Sequence, residues 1–463
     1  MAQKHSITFY LVLLHLIIMP LVPLKVYAGP LPISAEVVLI PVLTIVVAYE
    51  WYTKRIKLND DLSMKTFMVL FGIFFFIQVI SLTQAESLFP GIKEMVRYLS
   101  YAVLFYIVTK VNFSRSEFKT IGVTFSVVLA LVGIWGILTY VFAINLNTAG
   151  VYALEEAYGR VMATMGNPNY YAGFINFVIP GIMLVAVAYF KERKWQLMFF
   201  GLFGIYVINQ IFTYTRSAWL IMALAIILTS LLVPKRFYKK LFTIHMIVAS
   251  IILAVVVYNL PDVQDRTKSA MFVVQSFFPE DTQSPSGGLD RDGDGVEDDD
   301  GGKLNEKDEK NKSFTNKAVV SRTTLWKTGY YMYRDNPVLG VGIGNYDVRY
   351  KEYVTKYPQL YIGHDQYSVH NSYLKVASET GTIGLLSFLA IYVYYYIFMV
   401  KQYIIHREDL LKKLLLVGLF VGAGTFAGQN IANNLIFIPQ INVLFWLISG
   451  LVFNYVHTKH SHA

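Results

Sequence analysis

Three observations predict an all-α, polytopic membrane protein. Apolar runs of roughly 20 residues, the length that crosses a hydrocarbon core, recur along almost the whole chain, separated by short polar punctuation. Of the 463 residues 55% are hydrophobic and only 15% charged, a balance outside the range of soluble globular domains. The basic residues fall in alternate loops, as bilayer insertion requires. About twelve spans satisfy the length criterion. They divide into spans one to nine within residues 1–260, a large outer loop domain at 261–371 with an acidic insertion at 282–312, and spans ten to twelve within 372–463. With no cysteine in the chain, disulfides and thiolate metal sites play no part.

The orientation follows from the lysines and arginines. They cluster at Lys54, Arg55 and Lys57; Lys110, Arg115 and Lys119; Lys191, Arg193 and Lys194; Lys235, Arg236, Lys239 and Lys240; and Lys401, Arg407, Lys412 and Lys413. These loops are cytoplasmic by the positive-inside rule, which puts both termini inside. Ala28–Pro32, Gln84–Pro90, Asn145–Arg160, Thr213–Arg216 and Gln429–Asn434 then face outward, together with the large segment from Pro261 to His370. The net charge of +9 tracks the membrane topology, which favours contact with lipid over contact with nucleic acid. At the N-terminus, Lys4, an apolar run and "VYAG" at Val26–Gly29 resemble a signal peptide, although the run is longer than a usual signal core.

In the outer segment the centre reads "SPSGGLDRDGDGVEDDDGGKLNEKDEKNK". Asp290, Asp292, Asp294 and Asp298 have the spacing that wraps a chain around a hard cation, with Gly295 at the sharp turn. The stretch resembles the calcium loops of thrombospondin type 3 repeats, and Gly301 stands where an EF-hand places its bidentate glutamate, so a structural Ca2+ would bind weakly. A solvated acidic linker accounts for the same composition equally well. From Ala318 onward Val320, Leu325, Trp326, Tyr330 and Tyr333 predict one apolar helical face. Asn336-Pro337 ends that helix, and Gly340, Gly342 and Gly344 predict a tight turn packed against something. A phosphate loop would need a strand before these glycines and a helix start after them, and neither is evident.

Arg160, Arg216 and Arg322 all fall on the outer side, where the topology rule disfavours arginine in short loops. Arg216 in "TYTRSAWL" sits in a loop so short that its guanidinium lies at the membrane edge or inside the bundle, unless its stem snorkels to the headgroups. Arg160 precedes the turn Gly166-Asn167-Pro168-Asn169 that opens the next span, and stapling this turn is an alternative role. Three arginines and His370 on one face suit an anionic ligand such as a lipid diphosphate. His370 is the titratable member and can accept a proton from a hydroxyl, or else serve a hydrogen bond beside the N-cap Asn371 or Ser372. His364 is its rival as a base on the same side. Glu379 is nine residues further along, about half a turn around one straight helix, so it does not pair with His370 and, with Lys375, faces the bundle interior or the outer headgroup layer.

Four stretches, "RVMATMGNPNYYAGF", "TYTRSAWL", "SRTTLWKTGYYMYRDNPVLGVGIGNY" and "HNSYLKVASETGTIGLL", in this order around one large outer loop, resemble the O-antigen ligase and O-antigen polymerase family of bacterial membrane proteins. The first half of the chain matches only as generic spans. The resemblance implies a metal-independent glycosyltransferase of the inner membrane, without a catalytic cofactor, that takes glycan from an undecaprenyl-diphosphate-linked donor on the periplasmic side. By the same resemblance Arg216, Arg322 and, less strongly, Arg160 bind the diphosphate, and His370 activates the acceptor hydroxyl or assists the leaving group. The acceptor is lipid A core for a ligase, a growing glycan for a polymerase, or a protein hydroxyl. A secondary transporter is a competing class, but no repeat at the half-chain period is evident and the conspicuous charges lie at the outer rim. A non-catalytic scaffold would explain the aspartates and leave the arginines unexplained.

Overall fold

The computed structural model describes residues 5–22, 25–28, 31–59, 62–142, 144, 159–233, 235–260, 322–363 and 367–458. The acidic insertion with Asp290, Asp292, Asp294 and Asp298 lies outside them, as do Val320 and His364. The first half comprises α1 (Ile7–Leu21), α2 (Ala35–Tyr52), α3 (Lys65–Ser81), α4 (Leu88–Lys110), α5 (Arg115–Val141), α6 (Pro168–Leu184), α7 (Arg193–Phe212), α8 (Arg216–Leu232), α9 (Lys235–Leu241) and α10 (Ile244–Tyr258). After the outer segment come α11 (322–335), α12 (Tyr346–Lys356), α13 (Ser372–Ile405), α14 (Leu410–Gln429) and α15 (Pro439–His457). One small antiparallel hairpin, β1 (Lys25–Ala28) with β2 (Leu31–Ser34), interrupts this helical pattern in the loop after α1.

Against the expected count of about twelve, eight helices among the described residues, α2, α3, α5, α6, α7, α13, α14 and α15, are long and apolar enough to cross a membrane. The remaining apolar runs fold into shorter helices, α1, α8 and α10, while α4 has the length but carries Lys93, Glu94, Arg97 and Lys110. Valines and isoleucines on α10, including Ile251, Ile252 and Val255, point outward, as expected of a face that meets lipid tails.

Several helix ends are secured by polar groups, which supply partners for terminal backbone groups that an apolar setting cannot. Glu50 of α2 accepts from the Ile7 and Thr8 amides at 2.9 and 3.0 Å and from the Thr8 hydroxyl at 2.6 Å, so α1 is built into the bundle at its first turn. Ser114 and Glu117 form a capping box at the start of α5. At the opposite helix ends two lysines of the basic loops bond backbone oxygens: Lys110 donates to Leu62 O at 3.0 Å and Lys412 to Val456 O at 2.6 Å. Inside the bundle, Asn176 of α6 donates to Ala218 O at 2.9 Å, and Thr425 of α14 donates to Asn176 O at 2.9 Å. Gly418 and Gly422 let the α14 backbone approach α6 at Gly181 and Phe177, the small-residue packing that membrane helices favour.

The outer rim is organised by a break in α13. Gly381 has φ 67° and ψ −167°, so the helix is discontinuous there. The turn after α11 fills the break: Thr382 N donates to Pro337 O at 2.8 Å and Val341 N to Ser378 O at 2.8 Å. The same turn is wedged against the loop between α3 and α4, where Ser81 Oγ donates to Glu379 O at 2.8 Å and accepts from Ile343 N at 3.0 Å. The expected close-packed glycine turn is therefore present, with positive φ at Gly340, Gly342 and Gly344. A Cβ on Gly342 would come within 2.5 Å of Ala85 Cα.

The apolar face of α11 is rotated from its expected position. Leu325, Thr328, Gly329 and Met332 are the buried positions, an i, i+3, i+4, i+7 set. Tyr330 is 51% exposed, because α11 packs against α12 and the Val369 segment and offers its other side to solvent. Tyr333 is partly buried through its hydroxyl, 2.8 Å from Thr382 Oγ1.

Candidate active site

The segment carrying His370 is clamped from both sides. Asn371 is the N-cap of α13, its side chain accepting from Leu374 N at 3.0 Å. Ser372 donates through its amide to Asn430 O at 2.8 Å and through its hydroxyl to Asn430 Oδ1 at 2.6 Å. Asn434 reaches Ser368 Oγ at 2.5 Å on the other flank. The capping task thus belongs to Asn371, while the imidazole of His370 makes no hydrogen bond among the described residues.

His370 itself has φ 51°, a left-handed conformation costly for a residue with a Cβ. Burial pushes its imidazole down from 6.5 to about 4, with Arg322 adding to the effect and Asp347 opposing it. At neutral pH the ring is therefore neutral and able to accept a proton. The electrostatic coupling puts Arg322 at the start of α11, Asp347 in the first turn of α12 and His370 before α13 around one point.

Arg216 opens α8 on the same rim. Its helix packs beside α14, with Ile221 Cδ1 4.0 Å from where a Cβ on Gly428 would stand, two residues before the Asn430 that holds Ser372. Arg160 braces the turn in front of Arg216. Its Nε donates to Thr213 O at 2.9 Å, and its Nη2 donates to Asn169 Oδ1 and Thr215 Oγ1, both at 3.2 Å. Stapling, the alternative role for Arg160, is the arrangement observed. Tyr214, between these contacts, also has a positive φ of 49° and places its hydroxyl 3.3 Å from that of Tyr140. Backbone strain thus sits one residue before the cap of each helix, at Tyr214 before Thr215 and at His370 before Asn371, a distribution typical of functional sites.

Beneath this rim lies a buried charged group. Lys375 is 3.5 Å from Glu379 and 3.7 Å from Asp347, and its ammonium lies 4.8 Å from the Phe437 ring centre. Glu379 also accepts from Tyr346 N at 3.2 Å, so it points to the interior and toward Lys375, away from a direct pair with His370 as its spacing implied. Glu94 and Arg97 of α4 pair at 2.6 Å, and Glu94 lies within electrostatic reach of Glu379.

Sequence reasoning missed three parts of this arrangement: Asp347, the Glu94–Arg97 pair, and the asparagines of "QNIANN". The last had a legible signal, since Asn430, Asn433 and Asn434 are densely polar for a short loop between two apolar spans. No group of His, Asp or Glu side chains with metal-holding geometry occurs among the described residues.

These helices and the rim they carry define a multi-pass membrane protein with a polar, cation-bearing site at one end of its bundle. Residues 201–389, from within α7 to beyond the break in α13, match the family model for O-antigen ligase. The match includes Arg216, Arg322 and His370 and stops short of Arg160. No curated protein matches the chain.

Proposed function

We propose that the protein is a glycosyltransferase of the O-antigen ligase type, moving glycan from an undecaprenyl-diphosphate-linked donor to an acceptor hydroxyl at the periplasmic face of a bacterial inner membrane. In this reading α1, α4, α8 and α10 also cross the bilayer, giving twelve spans with both termini cytoplasmic. The observation that carries the reading is a partly buried His370, held in a left-handed conformation before the cap of α13, that lies within electrostatic reach of Arg322.

Arg216 and Arg322 bind the diphosphate oxygens, and Arg160 acts through the turn that presents Arg216. As the acceptor oxygen attacks the anomeric carbon, His370 takes its proton and the bond from that carbon to the diphosphate breaks. The departing charge falls on the arginines. A lipid diphosphate is a good leaving group, so fixed cations and a base suffice and no metal or other cofactor is assigned to catalysis. Lipid A core is the acceptor of a ligase; a growing glycan in the same place would make the protein a repeat-unit polymerase. The acidic insertion, with or without Ca2+, belongs to the outer domain and not to this chemistry.

The test is glycan transfer by purified protein from such a donor, comparing wild type with His370→Ala, Arg216→Ala and Arg322→Ala at matched expression. Loss of transfer in all three, with donor binding kept only in the histidine variant, is expected. Undiminished transfer in His370→Ala overturns its role and passes the base to His364.

A further inference from the structure

The turn that fills the break in α13 sits at a depth in the membrane that two helices measure separately. Ser81 Oγ, at the end of α3, lies 3.0 Å from Leu339 O and accepts from Ile343 N at 3.0 Å. Ser81 stands sixteen residues beyond the exposed Lys65 that opens α3, a rise of about 24 Å. On α13, Gly381 lies against the Val338 carbonyl, and Thr382 N donates to Pro337 O at 2.8 Å. From Gly381 to Ile405, two residues before the exposed Arg407, the helix rises through 24 residues, about 36 Å. The hydrocarbon core of a bilayer is about 30 Å thick, so the two lengths bracket its edge, and the turn lies there.

What the turn offers at that depth is apolar. Val338 is 57% exposed although α13 clasps its backbone. The helices that hold it present exposed apolar side chains of their own, Val79 on α3 and Ile383 and Leu386 on α13. Both helices are long and apolar enough to cross a membrane, so these faces meet lipid tails, and Val338 extends that surface from the outer domain. One turn back along α11 the character changes. The Arg334 guanidinium lies 4.5 Å from the Tyr331 ring centre and donates to the Tyr357 hydroxyl at 3.0 Å, and Lys356 Nζ is 3.1 Å from Asp335 Oδ2. Both cations keep about half of their side chains exposed. Tyrosines and long cations are what the headgroup layer of a membrane collects, with stems and rings toward the tails and charges toward the phosphates.

We propose that Pro337 and Val338 anchor the outer domain in the bilayer: the apolar tip enters the leaflet at the boundary of tails and headgroups, and Tyr331, Arg334, Tyr357 and Lys356 form a collar among the lipid phosphates. The partner is a lipid leaflet because the tip adjoins helix faces that already meet lipid, and because two cations against the single Asp335 carboxylate leave the collar positive. This anchor stands whatever the donor and acceptor are. It ties one end of α11 to the membrane surface, and Arg322 opens the other end of the same helix.

Because the chain has no cysteine, single cysteines can be labelled one at a time in the full-length protein. Nitroxide labels at Val338→Cys, at Ile397→Cys on the outward face of α13 and at Glu408→Cys in the exposed loop after it are compared in phospholipid vesicles. Collisions are read with oxygen, which concentrates in lipid, and with a water-soluble nickel chelate. The Val338 label is expected to favour oxygen over nickel, as Ile397 does and Glu408 does not, with Arg334→Cys between the two references. A Val338 label as open to nickel as that at Glu408 places the turn in water and overturns the anchor. A second comparison needs no label. Val338→Asp should speed proteolysis of 322–363 severalfold in vesicles, whereas Tyr361→Asp, at an outer-domain position exposed to a similar degree, should leave the rate unchanged. No acceleration in Val338→Asp, or equal acceleration in both variants, overturns the anchor as well.

Discussion

Lys375 and Glu379, one turn apart on α13, hold their charged ends 3.5 Å apart with less than a tenth of either side chain exposed. The half-exposed Asp347 completes the group from α12, at 3.7 Å from the same ammonium. One lysine thereby joins the first turn of an outer-domain helix to the helix that begins just after His370. Taking charges out of water is costly, and pairing offsets that cost only while both partners remain.

Removing one partner is therefore expected to be far worse than removing both. Lys375→Met should destabilise the protein by about 3–5 kcal/mol, whereas adding Glu379→Gln to it should recover much of that loss. Thermal unfolding in detergent reads both. A single-variant loss that the second change leaves unrelieved would contradict the pairing.

The acid limb of transfer should lie well below 6.5. His370 is neutral down to about 4, so kcat/KM should hold through mildly acidic pH and fall as the ring gains its proton. Asp347→Asn removes the group that favours the charged ring and should move the limb lower. The unfolded chain takes up this proton near 6.5 and the folded chain only near 4, so the contribution of His370 to stability declines as pH falls through that window. A limb near 6.5 in wild type would mean that the ring titrates in open water.

Gly342→Ala should dislodge the outer turn. The position has φ 97°, and the added methyl would meet the Ala85 backbone. A cost of about 1–3 kcal/mol is expected from the conformation alone, read as faster proteolysis of 322–363 with the membrane helices intact. Proteolysis at the wild-type rate would mean that the turn yields without penalty.

Asn430→Ala should lower turnover more than donor affinity. It removes the acceptor of the Ser372 hydroxyl and of Ile436 N at 2.9 Å, so the His370 segment loses the side-chain half of its clamp to Asn430 while the Ser372 amide bond, Arg216 and Arg322 stay in place. Measuring kcat and KM separately decides this, and a change in KM alone would contradict it.

The sequence carried the features that depend on local backbone rules. Asn167-Pro168 opens α6 as its turn chemistry requires, and the glycines at 340, 342 and 344 lie against neighbouring backbone. The apolar runs revealed the helices, and the outward arginines marked the rim. Less legible was anything decided by which face meets which neighbour. Tyr330 and Met332 are both apolar members of one helix, and only the position of α12 and Val369 selects the methionine for burial. Arg160 looks like Arg216 in one dimension, but the return of Thr213 and Thr215 beside it engages its guanidinium. Asp347 sits 23 residues before His370 on a different helix, and only the packing of α12 beside the start of α13, seen in the Asp347–Lys375 contact, brings it within reach.

The break at Gly381 also sets an order of assembly. The 337–346 turn is held on one side by residues 81–91, made early, and on the other by residues 378–382, made late. As the chain leaves the ribosome, α11 can form, yet the turn has only half of its socket until α13 is in place. The clamp on His370 waits longer still, for Asn430 beyond α14. The rim therefore closes only when most of the helices are already inserted, which leaves a partly inserted chain without a finished site.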